Sequence, residues 1–274
     1  TNLTAIGIGQ QPIGLTVHHT VEPASATGGA YGLRPQDLHA AYSLPTSAPA
    51  PQTVAIVDAY DDPTVEEDLA HYSQEFGLPS CTHADGCFTK VNQAGEESNY
   101  PQFESGWAGE IALDVETVHA VCESCHVILV EATNSSTAAL EVAENTAVSM
   151  GATEVSDSFG GPEPAVEGSA FNHPGTVITA STGDDGYLNW SSSKAGFAGH
   201  PNYPASSPDV VAVGGTRLTL NGGSRTGETV WNDGSTLGGG AGAGGGGCSE
   251  HRNAQSWQQA VPDWADVGCG EKRE

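Results

Sequence analysis

Two carboxylates four residues apart, Glu110 and Asp114, are the residues here best suited to chemistry. They lie in the stretch Gly106–Val121, GWAGEIALDVETVHAV. Apolar residues recur at helical spacing there, so the stretch is predicted to be a helix. At about 100° per residue, Ile111, Leu113, Val115, Val118 and Val121 sweep out one apolar arc. Glu110 and Asp114 fall inside the arc, whereas Glu116 and His119 fall outside it and are expected in water. Like charges at i and i+4 repel, and turning them toward a core adds a desolvation cost. A fold that does so points to shifted pKa values and acid–base work. An isolated E-x-x-x-D is also what a solvated helix edge looks like, so the rest of the chain has to decide.

The elements around this helix read as an α/β unit. Thr53–Val57 is a buried strand ending at Asp58, followed by a turn and a helix through about Phe76. Cys81–Gly95 reads as a bridged, hairpin-like excursion. After the acidic helix come strand Val127–Val130, helix Thr137–Met150, strand Glu154–Ser158, an obscure helix near 165–173 and strand Thr176–Ala180. Apolar strands alternating with helices predict a mostly parallel, doubly wound sheet flanked by helices. Ligands of such sheets bind at the carboxyl ends of the strands. Asp58, the Ser156–Glu163 loop and Ser181–Gly186 all lie there. Val210–Val213 reads as a further strand, Arg217–Asn221 as the start of a hairpin and Ser256–Trp264 as a short helix. Gly238–Gly247 lacks the Lys and spacing of a phosphate loop and reads as a flexible rim or a place of close backbone approach. Residues 1–30 show no periodicity and read as an extended arm or a pro-segment remnant. Residues 31–274 form the folded unit.

Composition limits the function classes. The chain has 274 residues, with 34 acidic against 8 basic side chains and a net charge of -26. That balance argues against nucleic acid or an anionic membrane as partner. It suits an acidic medium, where many carboxylates are neutral, and equally a salt-tolerant or secreted protein. No apolar run approaches the roughly 18 residues of a membrane span. The cysteines fall in local pairs, Cys81 with Cys87, Cys122 with Cys125 and Cys248 with Cys269, which predicts disulfides and a secreted, extracellular protein. Zinc would need a second C-x-x-C at suitable spacing, and none is present.

Seven stretches match one pattern in order: TVAIVDAY, GWAGEIALDVE, VSDSFGGPE, ITASTGDDGY, YPASSPDVVAVGGTRL, ETVWN and GGGCSEHRNAQSWQ. Together they resemble the sedolisin family of serine-carboxyl peptidases, with kumamolisin-like bacterial members looking nearest. The resemblance implies a subtilisin-like α/β fold and hydrolysis of peptide bonds in peptide or protein substrates. It implies Glu110 as general base, Asp114 as the carboxylate that orients it and Asp184 as an acid donating to the oxyanion. Asp184 can donate only while protonated, which fits acid conditions. Asp58 extends the hydrogen-bond chain where some relatives carry Glu. Ser156, Ser158, Gly160 and Gly161 match the edge along which a substrate backbone lies. Asp185 reads as a solvated turn residue.

The family's nucleophile motif, G-T-S-x-x-x-P, does not occur in this sequence, and neither does its calcium loop, so the resemblance implies that residues 31–274 are an incomplete sedolisin-like catalytic domain lacking its C-terminal part. The expectation is therefore an endopeptidase whose Ser arrives on a second polypeptide, a C-terminal fragment of the same precursor beginning shortly after Glu274. The calcium site would lie on that fragment and not on this chain. Two alternatives stand beside it. One is an inactive homologue that binds peptides or proteins through the same cleft. The other is an unrelated two-carboxylate enzyme such as a glycosidase, against which the motif order counts.

Overall fold

The run Thr53–Ala59 carries no charge until Asp58, and Ala55, Ile56 and Val57 are fully buried. A strand apolar on both faces belongs in the middle of a sheet covered on both sides. The computed structural model, which describes residues 6–7, 32–48, 50–188, 199–233 and 242–274, puts it there. In chain order the elements are β1 (Ile6–Gly7), α1 (Pro35–Tyr42), β2 (Thr53–Ala59), α2 (Val65–Phe76), β3 (Phe88–Asn92), α3 (Ser105–Val121), β4 (His126–Ala132) and α4 (Thr137–Ser149). Then follow β5 (Glu154–Asp157), β6 (Phe159–Gly160), β7 (Val177–Ser181), β8 (Val211–Val213), β9 (Thr216–Asn221), β10 (Ser224–Val230), α5 (Ser256–Gln259) and α6 (Trp264–Val267).

Six strands pair in the order β3-β4-β2-β5-β7-β8, and every pair is parallel. The chain leaves β2 toward β3 and β4, then crosses to β5 on the other side. The winding therefore reverses at β2 and β5, and the crevice at their carboxyl ends is where such sheets bind ligands. Side chains alternate between two cores. Ile56, Val127 and Leu129 pack with Val65, Leu69, Ile111 and Val115 of α2 and α3. Ala55, Val57, Ile128, Val130 and Val155 pack with Ala139, Leu140, Ala143 and Ala147 of α4.

Local chemistry fixes the helix that carries the acids. Glu104 caps α3 by accepting from the Trp107 backbone N–H at 2.9 Å. Trp107 is fully buried and packs in the α4-side core, its ring 6.4 Å from that of Tyr60. Trp107→Ala is expected to cost about 3–5 kcal/mol, read by urea unfolding at acid pH. A cost under about 1 kcal/mol would mean that the ring is not an anchor.

Several expectations need correction. The stretch read as a hairpin contains β3, an edge strand of the main sheet, and only its Cys81–Cys87 part is an excursion. Lys90 in mid-strand disguised it. Its ammonium is buried by an ion pair to Glu131 at 3.1 Å and a bond to the Asp62 carbonyl at 2.6 Å. Residues 165–173 hold no helix, because Pro164, Gly168 and Pro174 interrupt every turn. That loop is fastened instead by Ser249 Oγ donating to Glu163 and Arg252 Nε to Glu167. His119 is fully buried, not in water, because the loop after α2 covers that side of α3 and puts the Pro79 carbonyl 3.0 Å from its Nε2. Glu116 is half-buried. The segment Ser256–Trp264 divides into α5 and the start of α6. Of the arm at 1–30 only residues 6–7 are described.

The three disulfides join Cys81 to Cys87, Cys122 to Cys125 and Cys248 to Cys269, as locality predicts. No described helix is long and apolar enough to cross a membrane.

Candidate active site

Four chain segments converge at the carboxyl edge of β2 and β5. α3 brings Glu110, 4% exposed, and Asp114, part-buried with its Oδ2 sealed from solvent. β2 brings Asp58, fully buried. The turn between β5 and β6 brings Ser158. The loop after β7 brings Asp184, close enough for its charge to act on Glu110. The expected pair, its extension and the opposing acid are thus assembled in one place.

Ser158 lies beside the two acids of α3, close enough for its hydroxyl to act on both Glu110 and Asp114. A hydroxyl has one proton and two acceptor lone pairs. It can therefore serve either acid, donating to an ionised carboxyl and accepting from a protonated one. Sequence reasoning took Ser158 for a substrate contact and missed this placement. Ser156 lies deeper. It stands opposite Ile56 of β2 and Thr179 of β7, so the sheet ladder occupies its backbone on both sides. Gly161 exchanges backbone bonds of 2.9 Å in both directions with Tyr203. That leaves Phe159–Gly160 as the edge available to an extended chain. There β1 pairs in parallel, Ile6 beside Phe159 and Gly7 beside Gly160.

The Asp184 loop is held from behind. Gly183 adopts φ +97°, and a Cβ there would collide with the amide of Asn202. Asn202 is buried and donates from Nδ2 to the Thr182 carbonyl at 2.8 Å. A Cβ on Gly160 would lie 3.0 Å from the Asn202 Cβ, so Asn202 wedges between the edge segment and the loop. The glycine tract supplies the backing. Ala243 N–H donates to Asp184 O, and Gly245 N–H to Gly183 O, both at 2.8 Å. A Cβ on Gly245 would overlap the Thr182 carbonyl. Close backbone approach is therefore the use of this tract from Gly242 on, while 238–241 lie outside the described residues. Asp185 is part-buried and bridges Ala243, not solvated as expected. The sequence signals for this support are the glycine run, read above for close backbone approach, and the YPASSP motif.

Burial dominates the electrostatics. It pushes the Asp114 carboxyl up to about 7, and the Ser158 bond pulls it partway back. Glu110 is raised well above the ordinary carboxylate range by burial, then by the charges of Asp114 and Asp184. Asp58 is raised well above as well, by burial and then by Asp114 and Glu110. Neither Asp58 oxygen accepts a hydrogen bond from any N–H or O–H of the described residues. Such a cluster holds protons at a pH where surface carboxylates have lost theirs, and it can pass them between neighbours.

The chain is 31% identical to kumamolisin of Bacillus sp. (strain MN-32) over 275 residues, which is 92% of this chain and 46% of kumamolisin. It is 28% identical to sedolisin of Pseudomonas sp. (strain 101) over 260 residues, 86% of this chain and 43% of sedolisin. A solved structure of Pseudomonas sedolisin, a serine-carboxyl proteinase complexed with two molecules of pseudo-iodotyrostatin, matches with a TM-score of 0.70. The identity there is 26%, covering 90% of this chain and 69% of that one. The chain belongs to the sedolisin family. Its parallel sheet flanked by helices is the subtilisin-like fold of the sedolisins. No family model matches the sequence. The chain spans a little under half the length of kumamolisin and sedolisin.

Proposed function

We propose that this chain supplies the acid–base and oxyanion parts of an acid-acting, secreted serine-carboxyl endopeptidase. The observation that carries the reading is the buried Glu110–Asp114 pair, with Ser158 beside both acids and Asp184 facing Glu110. A serine from a second polypeptide segment, outside these 274 residues, would place its hydroxyl against Glu110. Ionised Glu110 takes the hydroxyl proton as the serine oxygen bonds to the peptide carbonyl carbon. Protonated Asp184 donates to the oxyanion that forms. Glu110 then returns the proton to the departing amine, and water repeats the cycle to release the acid. Asp114 shares the proton on Glu110 throughout. A serine hydroxyl donating to Glu110 favours its ionised form, so the completed site draws the pair back toward acid pH.

Two features support the arrangement. β8 pairs only with β7 among the described residues, and Val211 and Val213 are about half-exposed, so that sheet edge is open to a partner segment. The Phe159–Gly160 edge takes an extended strand in β1, as a substrate backbone would be taken. The calcium that the family resemblance implies would be held outside this chain. The grouping of metal-ligating side chains among the described residues is Cys81, Cys87 and His119. Both sulfurs are spent on a bridge, and calcium takes oxygen ligands.

The test is cleavage of an unfolded protein at about pH 4 by the gene product that includes the serine-bearing segment. Glu110→Gln is expected to lower kcat by about 10²–10⁴. Binding of the substrate without cleavage would replace the peptidase reading with that of a peptide-binding homologue, and undiminished turnover by Glu110→Gln would refute Glu110 as the base.

A further inference from the structure

Glu144 and Asp157 are buried acids without a part in the chemistry above. Glu144 is 0% exposed on the inner face of α4, and Asp157, the last residue of β5, is 2% exposed. Asp157 stands beside Val57 of β2 and Ala180 of β7. It therefore shares their sheet face, against which Leu140, Ala143 and Ala147 of α4 pack. The two carboxyls face each other across the α4–β5 interface, close enough for each to act on the other. None of their four oxygens has a hydrogen-bond partner among the described N–H and O–H groups. Ionised carboxylates only accept, so a bond between these groups would require a proton on one of them. The neighbouring charges are acids too: Asp114 of α3 acts on Asp157, and Asp157 on Asp58 of β2. A buried ionisable pair is commonly no more stable than well-packed apolar residues. Stability alone does not account for it.

Its place in the chain suggests what does. Side chains alternate along a strand. Asp157 faces α4, and the next residue, Ser158, faces α3 and lies close enough to act on Glu110 and Asp114. The β2–β5 ladder ends at Val57 and Asp157, so Ser158 lies past the last paired residue. What fixes it are the anchors on either side, the Asp157 carboxyl before it and buried Phe159 after it.

We propose that Glu144 and Asp157 form a proton-sharing clip beneath the sheet that positions the Ser158 hydroxyl between Glu110 and Asp114. The two acids are positioning residues and touch no reacting atom. Losing the shared proton sets two carboxylates against each other at the foot of Ser158. The inference rests on Glu110 and Asp114 as the working pair, and its primary test needs no turnover.

The test is carbon-13 NMR titration of the Glu110 and Asp114 carboxyls in wild type, S158A, D157N and the apolar double variant E144L/D157L. S158A loses the bond that favours ionisation, so both carboxyls are expected to titrate at higher pH. D157N keeps an N–H donor for Glu144 and so keeps the clip without a shared proton. E144L/D157L lacks the clip. D157N and E144L/D157L both lack the Asp157 charge, so the clip is what separates them. E144L/D157L is expected to titrate upward of D157N by most of the S158A shift. If it titrates with D157N while S158A shifts, the proposal is wrong. Should the leucine pair not fold, Asp157→Val carries the same comparison. In the serine-bearing enzyme, loss of the clip is expected to lower kcat about tenfold to a hundredfold with KM little changed. Wild type that cleaves nothing would refute the peptidase reading, and the titration would still decide the clip.

Discussion

Thermal unfolding of this chain is expected at its highest temperature near pH 4 and at steadily lower temperatures up to about pH 8. The cause is the set of buried acids. Asp114 rises from 3.8 to about 7 and Glu144 from 4.5 to about 8, chiefly by burial. Glu110, Asp58 and Asp157 are raised well above their ordinary values. Below pH 4 such a group is protonated in both the folded and the unfolded chain and changes nothing with pH. Above it the unfolded chain ionises while the folded chain keeps its proton. Folding then takes up a proton, and each group removes about 1.4 kcal/mol of stability per pH unit until its folded value is reached. The loss from Asp114 levels off past about 7 and that from Glu144 past about 8. Coupled groups share protons, so the losses do not simply add. Even two of them acting over three units approach the typical 5–15 kcal/mol of a whole domain. The net charge of -26 works in the same direction through self-repulsion. Calorimetry from about pH 3 to about pH 9 checks this, and Glu144→Gln is expected to flatten the slope. A maximum at neutral pH would mean that the cluster is hydrated and ionised.

The second large effect is expected at Asp184. In the complete enzyme, Asp184→Ala should lower kcat at acid pH by about 10²–10³, the worth of one oxyanion donor. Asp184→Asn should lose far less, because an amide donates without a proton to lose. The two variants should also differ in pH profile. The rising limb belongs to the first ionisation of the Glu110–Asp114 pair, and the falling limb to loss of the Asp184 proton. Asp184→Asn should keep the first limb and carry activity to higher pH. If Asn and Ala are equally impaired and both keep the falling limb, Asp184 is a structural residue and the oxyanion donor lies elsewhere.

The acids on α3 were legible in the sequence because helical periodicity alone puts Glu110 and Asp114 on the apolar arc. The central strands were legible because a strand covered on both faces has no polar positions to disguise it. The cysteine pairs could be read from their spacing. What escaped depends on contacts between elements far apart in the chain. β3 was hidden because Lys90 is neutralised by Glu131, 41 residues later. His119 read as solvent-facing because its cover comes from the loop at Pro79. Neither Asp157 nor Glu144 carries a sequence signal of its own. Only the packing of α4 under β5 brings them together. Asn202 gave no local sign, since its fit is defined by two glycines from other segments.

The central claim is a buried, proton-sharing Glu110–Asp114 pair, and a carboxyl carbon-13 titration of these two residues in the folded chain tests it most directly. The expected result is two separated steps, with Asp114 near 7 and Glu110 well above the ordinary carboxylate range. Both carboxyls titrating together near 4, as free side chains do, would contradict it.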